Sequence, residues 1–420
     1  MRTPIPEYLQ ELVDELADDR EGAVADYIPV LAAADPERLA VALTTTEGRT
    51  YAAGDADVEF SIQSMSKPFA YAAALADRGE EAVDRKVGVD PSGEVFNELS
   101  LETGTRRPRN PMINAGAITA HSLLVGPGTT SLQRVDRVLE FFSHLAGRQL
   151  SVHEDVRDSE LAAADRNLAI AHMLASYGIL EDDPHDVVAG YTAQCSIGVT
   201  VRDIAMMAAV LAAGGRRPGS GEQIIDPLSA RRTLTVMAAA GMYDAAGSWF
   251  TDVGIPAKSG VAGGMLGALP GQVGIGSFSP RLDAHGNSVR GTAMFRRLSE
   301  DMGLHLMAAE TTSSHALRGV HRDGEQTVIE LQGVVDFSGA EIVLHRMQDL
   351  DGATSAVVDV TRVDRFTDVG RRMVLEGLRR LGLDGVRVSL RDPESALPEP
   401  ELGDGAQLSE EQDDGRRLGA

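Results

Sequence analysis

The chain has 420 residues, 43% of them hydrophobic and 24% charged, with a formal net charge of -24. That length suits two or three domains with a sizeable core, and the acidity argues against nucleic acid or an anionic membrane surface as partner. A single cysteine, Cys195, excludes an intrachain disulfide framework, and no metal-ligand cluster or membrane-length apolar run is present, so no metal and no cofactor is expected. The acidic N-terminal stretch does not read as a signal peptide, and a cytoplasmic protein is expected.

In chain order, the pattern predicts a helix over Glu7 to Ala17, a strand from Leu39 to Thr44, and a second strand around Tyr51 after the Glu47-Gly48 turn. Phe60 to Gln63 leads into a helix that starts at Ser64, with Pro68 in the first turn, where a missing N–H does least harm. A polar loop, 106–111, precedes Met112-Ile113-Asn114-Ala115-Gly116-Ala117. Helices are predicted at Leu132 to Ala146, at Asp158 to Ser176 with Ser159 as N-cap, at Val201 to Ala213 and at Ala230 to Ala240. Strands are predicted at Val253 to Gly260, Val273 to Phe278 and Val289 to Phe295, with a helix from Arg297. Helices cluster in the middle and strands at both ends, which is an α+β pattern with a sheet closed by N- and C-terminal strands. After Thr311-Thr312-Ser313-Ser314 the order becomes strand, helix, strand, helix, strand, from Thr327 to Leu390. From Pro398 the chain is acidic and Gly-containing, a disordered tail by composition. The expected domains are thus 1–312, 325–397 and a tail over 398–420.

Lysine occurs only at Lys67, Lys86 and Lys258, although Lys and Arg together number 39. Arg cannot replace Lys where a proton must leave the side chain, because a buried ammonium shifts its pKa and a guanidinium does not. Lys86, beside Arg85, reads as an ordinary solvated charge. Lys67 closes Ser64-Met65-Ser66-Lys67 and Lys258 opens Lys258-Ser259-Gly260. Ser-x-x-Lys with a later Lys-[Ser/Thr]-Gly is the paired signature of serine-acylating enzymes of the β-lactamase and penicillin-binding type. Residues three apart share a helix face, so the Lys67 amine can reach the Ser64 hydroxyl and activate it. Lys258, on a strand facing that helix, would tune the first lysine electrostatically.

Seven blocks extend the pattern: Tyr27-Ile28-Pro29; Gln63 to Lys67; Asn110 to Ile118; Ser159-Glu160 with Arg166-Asn167; Tyr191 ahead of Gln194-Cys195-Ser196; Gly241 to Asp244; and Pro256 to Gly264. In this order they resemble the serine-dependent glutaminase family, which shares the β-lactamase-like fold, a helical cluster packed on an antiparallel sheet. The resemblance implies hydrolysis of L-glutamine to glutamate and ammonia through a glutamyl-enzyme. It implies Ser64 as nucleophile, Lys67 as its base, and Tyr243 as an aid to proton transfer. It also implies Asn114, Glu160, Asn167, Tyr191 and Val261 around the substrate, with Tyr27 close by, and a homo-oligomer, dimer or tetramer. The chemistry is consistent. A zwitterion needs an anion for its α-ammonium, which Glu160 can supply, and Glu160 and Asn167, seven apart, can project from one helical face. Backbone N–H groups of Ser64 and Val261 would receive a developing oxyanion. Without the family, Glu160 and Asn167 read as a solvated helix face, Tyr191, Tyr243 and Tyr27 as core or rim aromatics, and Asn114 as a turn residue. Cys195 reads as a small buried residue rather than a nucleophile.

The last quarter resembles the STAS fold, the anti-sigma-factor-antagonist type, a small α/β domain. The carrying residues are Leu331 to Asp336, Val357 to Val360 and Val363 to Gly370. Thr367-Asp368-Val369-Gly370 stands where that family often has Asp-Ser-Ser-Gly, so the usual phosphorylatable serine is replaced by Asp368, and Thr367 is the remaining acceptor. Self-association, docking of a protein partner, nucleotide sensing and a purely structural role all stay open. For the whole chain, two alternatives to a glutaminase remain at this point: a β-lactamase or peptidase, and a regulatory amino-acid-binding protein.

Overall fold

The computed structural model describes residues 3–93, 101–308, 316–350, 352–397, 400 and 409–410. The expected linker over Thr311 to Ser314 and nearly all of the expected tail, 398–420, lie outside the described residues. The chain divides into two compact units: residues 9–299, and residues 300–420 together with 1–8. Helix α1 (Ile5–Leu16) crosses the first of these boundaries.

The larger unit is built on a five-stranded antiparallel sheet of β1 (Ala40–Thr45), β2 (Thr50–Gly54), β3 (Ala257–Ser259), β4 (Gly264–Leu269) and β5 (Val273–Phe278), in the order β2-β1-β5-β4-β3. N-terminal β1 pairs with C-terminal β5 from Ala40↔Phe278 to Thr45↔Val273, so the sheet closes as expected. Every residue of β1, β4 and β5 is buried, which explains near-continuous apolar or small runs in place of alternation. The longer helices are α2 (Ser66–Arg78), α3 (Asn114–Ser122), α4 (Ser131–Ala146), α5 (Glu154–Ala162), α6 (Asp165–Ser176), α7 (Pro184–Cys195), α8 (Val201–Ala212), α9 (Pro227–Ala240) and α10 (Val289–Met302). Apolar α8 packs against β1, β4 and β5. It opens with a reciprocal capping box between Thr200 and Asp203. α2 packs against α3 and α9. Pro68 and Ala70, Ala72, Ala73 and Ala74 are buried, and Gly79 ends it with φ 75°.

Four local expectations change. Ser64 lies in a short 3₁₀ turn, Gln63–Met65, with the α-helix starting at Ser66. The helix expected over Asp158 to Ser176 is two, α5 and α6, broken at Ala163-Ala164. Ser159 therefore sits inside α5 rather than capping it, and Glu160 and Asn167 come from different helices. Residues 246–252, just ahead of the expected strand, form a helix, and the strand itself is only Ala257–Ser259. Val289 to Phe295 is helical. Met294, Phe295, Leu298 and Met302 are its buried apolar residues, a helical spacing, and Ser288 Oγ accepts the Gly291 N–H at 3.1 Å as its cap.

The smaller unit holds β6 (Leu317–Asp323), β7 (Gln326–Val335), α11 (Phe337–Gln348), β8 (Ser355–Phe366), α12 (Asp368–Leu383), β9 (Arg387–Arg391) and the short β10 (Ser409–Glu410), with the sheet order β10-β9-β8-β7-β6. β7 to β10 run parallel, linked by two helical crossovers, and β6 is an antiparallel edge strand. β6 was not anticipated, because its residues are mostly exposed and carry no alternation. Asp336 caps α11 and Thr367 caps α12 through the N–H groups of Gly339 and Gly370.

Candidate active site

The residues singled out in the sequence converge in the larger unit. A cavity of about 400 Å³ is lined by Tyr27, Gln63, Ser64, Asn114, Glu160, Asn167, Tyr191 and Val261, together with Ile28, Ala163, Arg166 and Cys195. Lys67 and Tyr243 are buried, outside the lining, with Tyr243 hydrogen-bonded to Ser64.

Asn114 owes its place to the loop before it. Asn110 is buried and its Oδ1 accepts the N–H groups of Met112 and Ile113, while its Nδ2 donates to Asp90 O. This folded loop presses against Gly116, where a Cβ would lie 1.9 Å from Asn110 O, so only glycine fits. α3 then starts with Asn114 pointing at the site. Asn114 Oδ1 accepts from Lys67 Nζ at 2.7 Å and its Nδ2 donates to Asn167 Oδ1 at 3.1 Å.

Lys67 is only 1% exposed. Burial pulls its amine down to about 7, so near neutral pH much of it is uncharged. Nζ has three oxygens around it: Asn114 Oδ1 at 2.7 Å, Met112 O at 3.1 Å and Tyr243 Oη at 3.4 Å. A neutral amine has two N–H groups and one lone pair. The two carbonyl-type oxygens accept only, so they take the N–H groups and leave the lone pair facing the Tyr243 hydroxyl. The Tyr243 phenol is hydrogen-bonded in turn to Ser64, and burial raises it so that it stays protonated. The sequence pictured a direct Ser64–Lys67 contact; the geometry strings Ser64, Tyr243 and Lys67 in series.

Lys258, on β3, is fully buried, donates to Ser259 O at 2.9 Å, and its Nζ lies 3.8 Å from the Tyr243 ring centroid. Burial, then the charge of Lys67, holds its amine well below the ordinary lysine value. The charge of Lys67 thus acts on Lys258, whereas the downward shift of Lys67 comes from its own burial. Lys86 sits at the surface, as expected, in an exposed ion pair. Its Nζ donates to Gly178 O at 2.9 Å and to Glu181 at 2.7 Å.

On the opposite wall, burial raises Glu160 to about 7, against the Gln63 amide that hydrogen-bonds it. A cation delivered beside Glu160 would restore its ionised form. Tyr27 is 55% exposed at the rim, yet burial of its hydroxyl, then the charge of Glu160, raises the phenol. Tyr191 hydrogen-bonds Cys195, whose thiol burial pushes up to about 12, as befits a packing residue. Gln63 was quoted in a sequence block but not assigned to the site. The signal for it is conformational: Gln63 (φ 51°), which precedes Ser64, and Tyr243 (φ 56°), which hydrogen-bonds it, both hold left-handed backbone that side chains resist.

The glutaminase family's sequence model matches residues 22–307. A glutaminase of Corynebacterium efficiens is 53% identical over 403 residues, covering 96% of this chain and 95% of the relative. That of Corynebacterium glutamicum is 54% identical over 404 residues, covering 96% and 97%. Among solved structures, Mglu in its glutamate form superposes with a TM-score of 0.74 at 53% identity, covering 94% of this chain and all of that one. A Bacillus glutaminase gives 0.65 at 32% identity, covering 72% of this chain and 99% of its own. The larger unit thus has the β-lactamase-like fold of these structures, and the chain is an enzyme of the glutaminase family.

Proposed function

We infer that the chain hydrolyses L-glutamine to L-glutamate and ammonia at this cavity through a glutamyl-enzyme on Ser64. The observation that carries the reading is the Lys67 amine, its two N–H groups taken by Met112 O and Asn114 Oδ1 and its lone pair turned to the hydroxyl that bonds Ser64. Glutamine enters with its α-ammonium against Glu160 and its α-carboxylate toward the Asn167 amide and the Tyr191 hydroxyl. Tyr27 stands at the rim beside it. Ser64 Oγ attacks the side-chain carbonyl while its proton passes to Tyr243 and the Tyr243 proton passes to Lys67. The oxyanion is held by the backbone N–H groups of Ser64 and Val261. Return of the proton through Tyr243 to the amide nitrogen expels ammonia and leaves the ester. Water, deprotonated along the same path, attacks that ester, and Ser64 recovers its proton as glutamate departs.

Ser64→Ala tests this. Ammonia release should fall by about 10⁴-fold or more while glutamine binding persists, and an acid-quenched reaction of the unmodified protein should show a glutamyl adduct on Ser64. Turnover without an adduct would reject the covalent path, and glutamine binding without turnover would return the chain to the binding-protein alternative. The smaller unit we read as STAS-like, on the support of its two parallel crossovers and the Thr367 cap, and the chain as a homo-oligomer, dimer or tetramer. Light scattering of the full chain and of a chain cut before residue 316 checks that assignment.

A further inference from the structure

Behind the cavity lies a second set of polar side chains that the mechanism above does not use. His121 on α3, Gln194 on α7 and Ser66 at the start of α2 are all fully buried. His121 Nδ1 lies 2.9 Å from Gln194 Oε1, and Gln194 Nε2 donates to Ser66 Oγ at 3.0 Å. The direction of the chain follows from its ends. Burial pulls His121 down to about 4, with Arg134 adding to the shift and Gln194 and Asp186 opposing it, so the ring is neutral at working pH. His121 Nε2 has no partner and faces Gly190, where a Cβ would lie 2.5 Å away. A buried orphan N–H is worse than a buried orphan lone pair, so the proton sits on Nδ1 and donates to Gln194 Oε1. The Gln194 amide then has one orientation, its N–H donates to Ser66, and the Ser66 hydroxyl proton turns to Cys195 Sγ, 4.0 Å away.

We propose that His121, Gln194 and Ser66 form a positioning relay that locks the first turn of α2 against α3 and α7 and keeps the Lys67 amine dry and aimed at Tyr243. Three independent placements carry it. Ser66 is the residue between the Ser64 turn and Lys67. α3 supplies both His121 and the Asn114 that accepts from Lys67. α7 supplies Gln194 together with Tyr191 and Cys195 of the cavity wall, and the Tyr191 ring meets His121 edge-on at 6.4 Å. One buried hydrogen-bonded line thus ties the three helices that furnish the base, its acceptor and the substrate wall. A fully satisfied buried network gives a single arrangement, whereas apolar packing alone would let α2 slide. None of the three touches the cavity contents, so they act through Lys67 and Ser64. The inference deepens the reading of Lys67 as the base.

The test uses the fact that the full chain has three lysines, so lysine labelled with ¹³C at Cε gives a resolvable set, assigned with Lys86→Arg and Lys258→Met. In the unmodified protein the Lys67 signal should titrate near 7. In Ser66→Ala and in Gln194→Met it should move up by about one unit or more as water reaches the loosened amine, with Lys86 unchanged. The acidic limb of kcat/KM should move with it, kcat should fall about tenfold or more, and KM should stay within about threefold. The double variant should be no worse than the poorer single one, because both break one line. An unchanged Lys67 titration in either folded variant, or losses that multiply in the double variant, overturns the relay. Should Gln194→Met fail to fold, Ser66→Ala decides alone. Absence of ammonia release from the unmodified protein would strike the glutaminase reading, and the lysine titration would still decide the relay.

Discussion

Lys67 and Glu160 meet the same condition from opposite sides. Each is brought to about 7 by burial, one down and one up, and in the proposed mechanism each must be deprotonated before glutamine can bind and react. Log kcat/KM should therefore rise with a slope approaching two below pH 7 and level off about one unit above it. Glu160→Gln should reduce that slope toward one and raise KM by about 100-fold, measured as ammonia release against pH. Lys67→Arg should lose about 10³-fold or more at every pH, because a guanidinium cannot accept the proton, and an alkaline assay that rescued it would deny Lys67 the role of base. At this scale the sequence was informative for a chemical reason. Ser64, Lys67 and Lys258 stand out because lysine is scarce, and no surface role explains where it is kept. The relative order of Ser64, Tyr243 and Lys67 was not legible, since Tyr243 arrives from 176 positions away and spacing says nothing of it. Gln63 escaped for a related reason: its left-handed backbone is a property of the fold, not of glutamine.

Elements were legible where local chemistry and tertiary demand agreed. α8 has a capping pair at Thr200 and Asp203 and an apolar run, and it lies where its sequence puts it. The break between α5 and α6 was invisible because Leu161 to Ala164 contains good helix formers and no glycine or proline. Tertiary placement of Glu160 and Asn167 around one cavity overrides that propensity. α10 was mistaken because its first half, Val289 to Phe295, alternates, and the helical spacing appears only once Leu298 and Met302 are included. The loop-and-helix junction at Asn110 and Gly116 gives an element-scale prediction. Gly116→Ala drives a methyl into Asn110 O and must displace either the loop or α3. It should cost about 1–3 kcal/mol in urea unfolding and, by shifting Asn114, lower ammonia release disproportionately. A stable variant with full activity would show that the junction yields easily.

Across the whole molecule, the buried amines and phenols of the site set a pattern of stability with pH. Burial pulls the folded Lys67 amine from 10.5 down to about 7, so between those two values the unfolded chain binds more protons than the folded one. Stability should rise across that window by on the order of 5 kcal/mol, with Lys258 adding in the same direction. Tyr27, Tyr191 and Tyr243 are raised by burial, so above pH 10 the unfolded chain sheds phenolic protons first and the trend reverses. Calorimetry should find maximal stability near pH 9 to 10, and Lys67→Met should flatten the rise; a maximum at or below neutrality in the unmodified protein would contradict the burial of these groups. The pairing of β1 with β5 has a different consequence. β1 ends at Thr45 and its central partner begins only at Val273. At roughly 5 to 20 residues per second of translation, the first strand, apolar and open along one edge, waits roughly ten to fifty seconds after leaving the ribosome. Nascent chains halted before residue 273 should accordingly be held by trigger-type chaperones and digested readily by protease, with resistance gained abruptly once β5 has emerged.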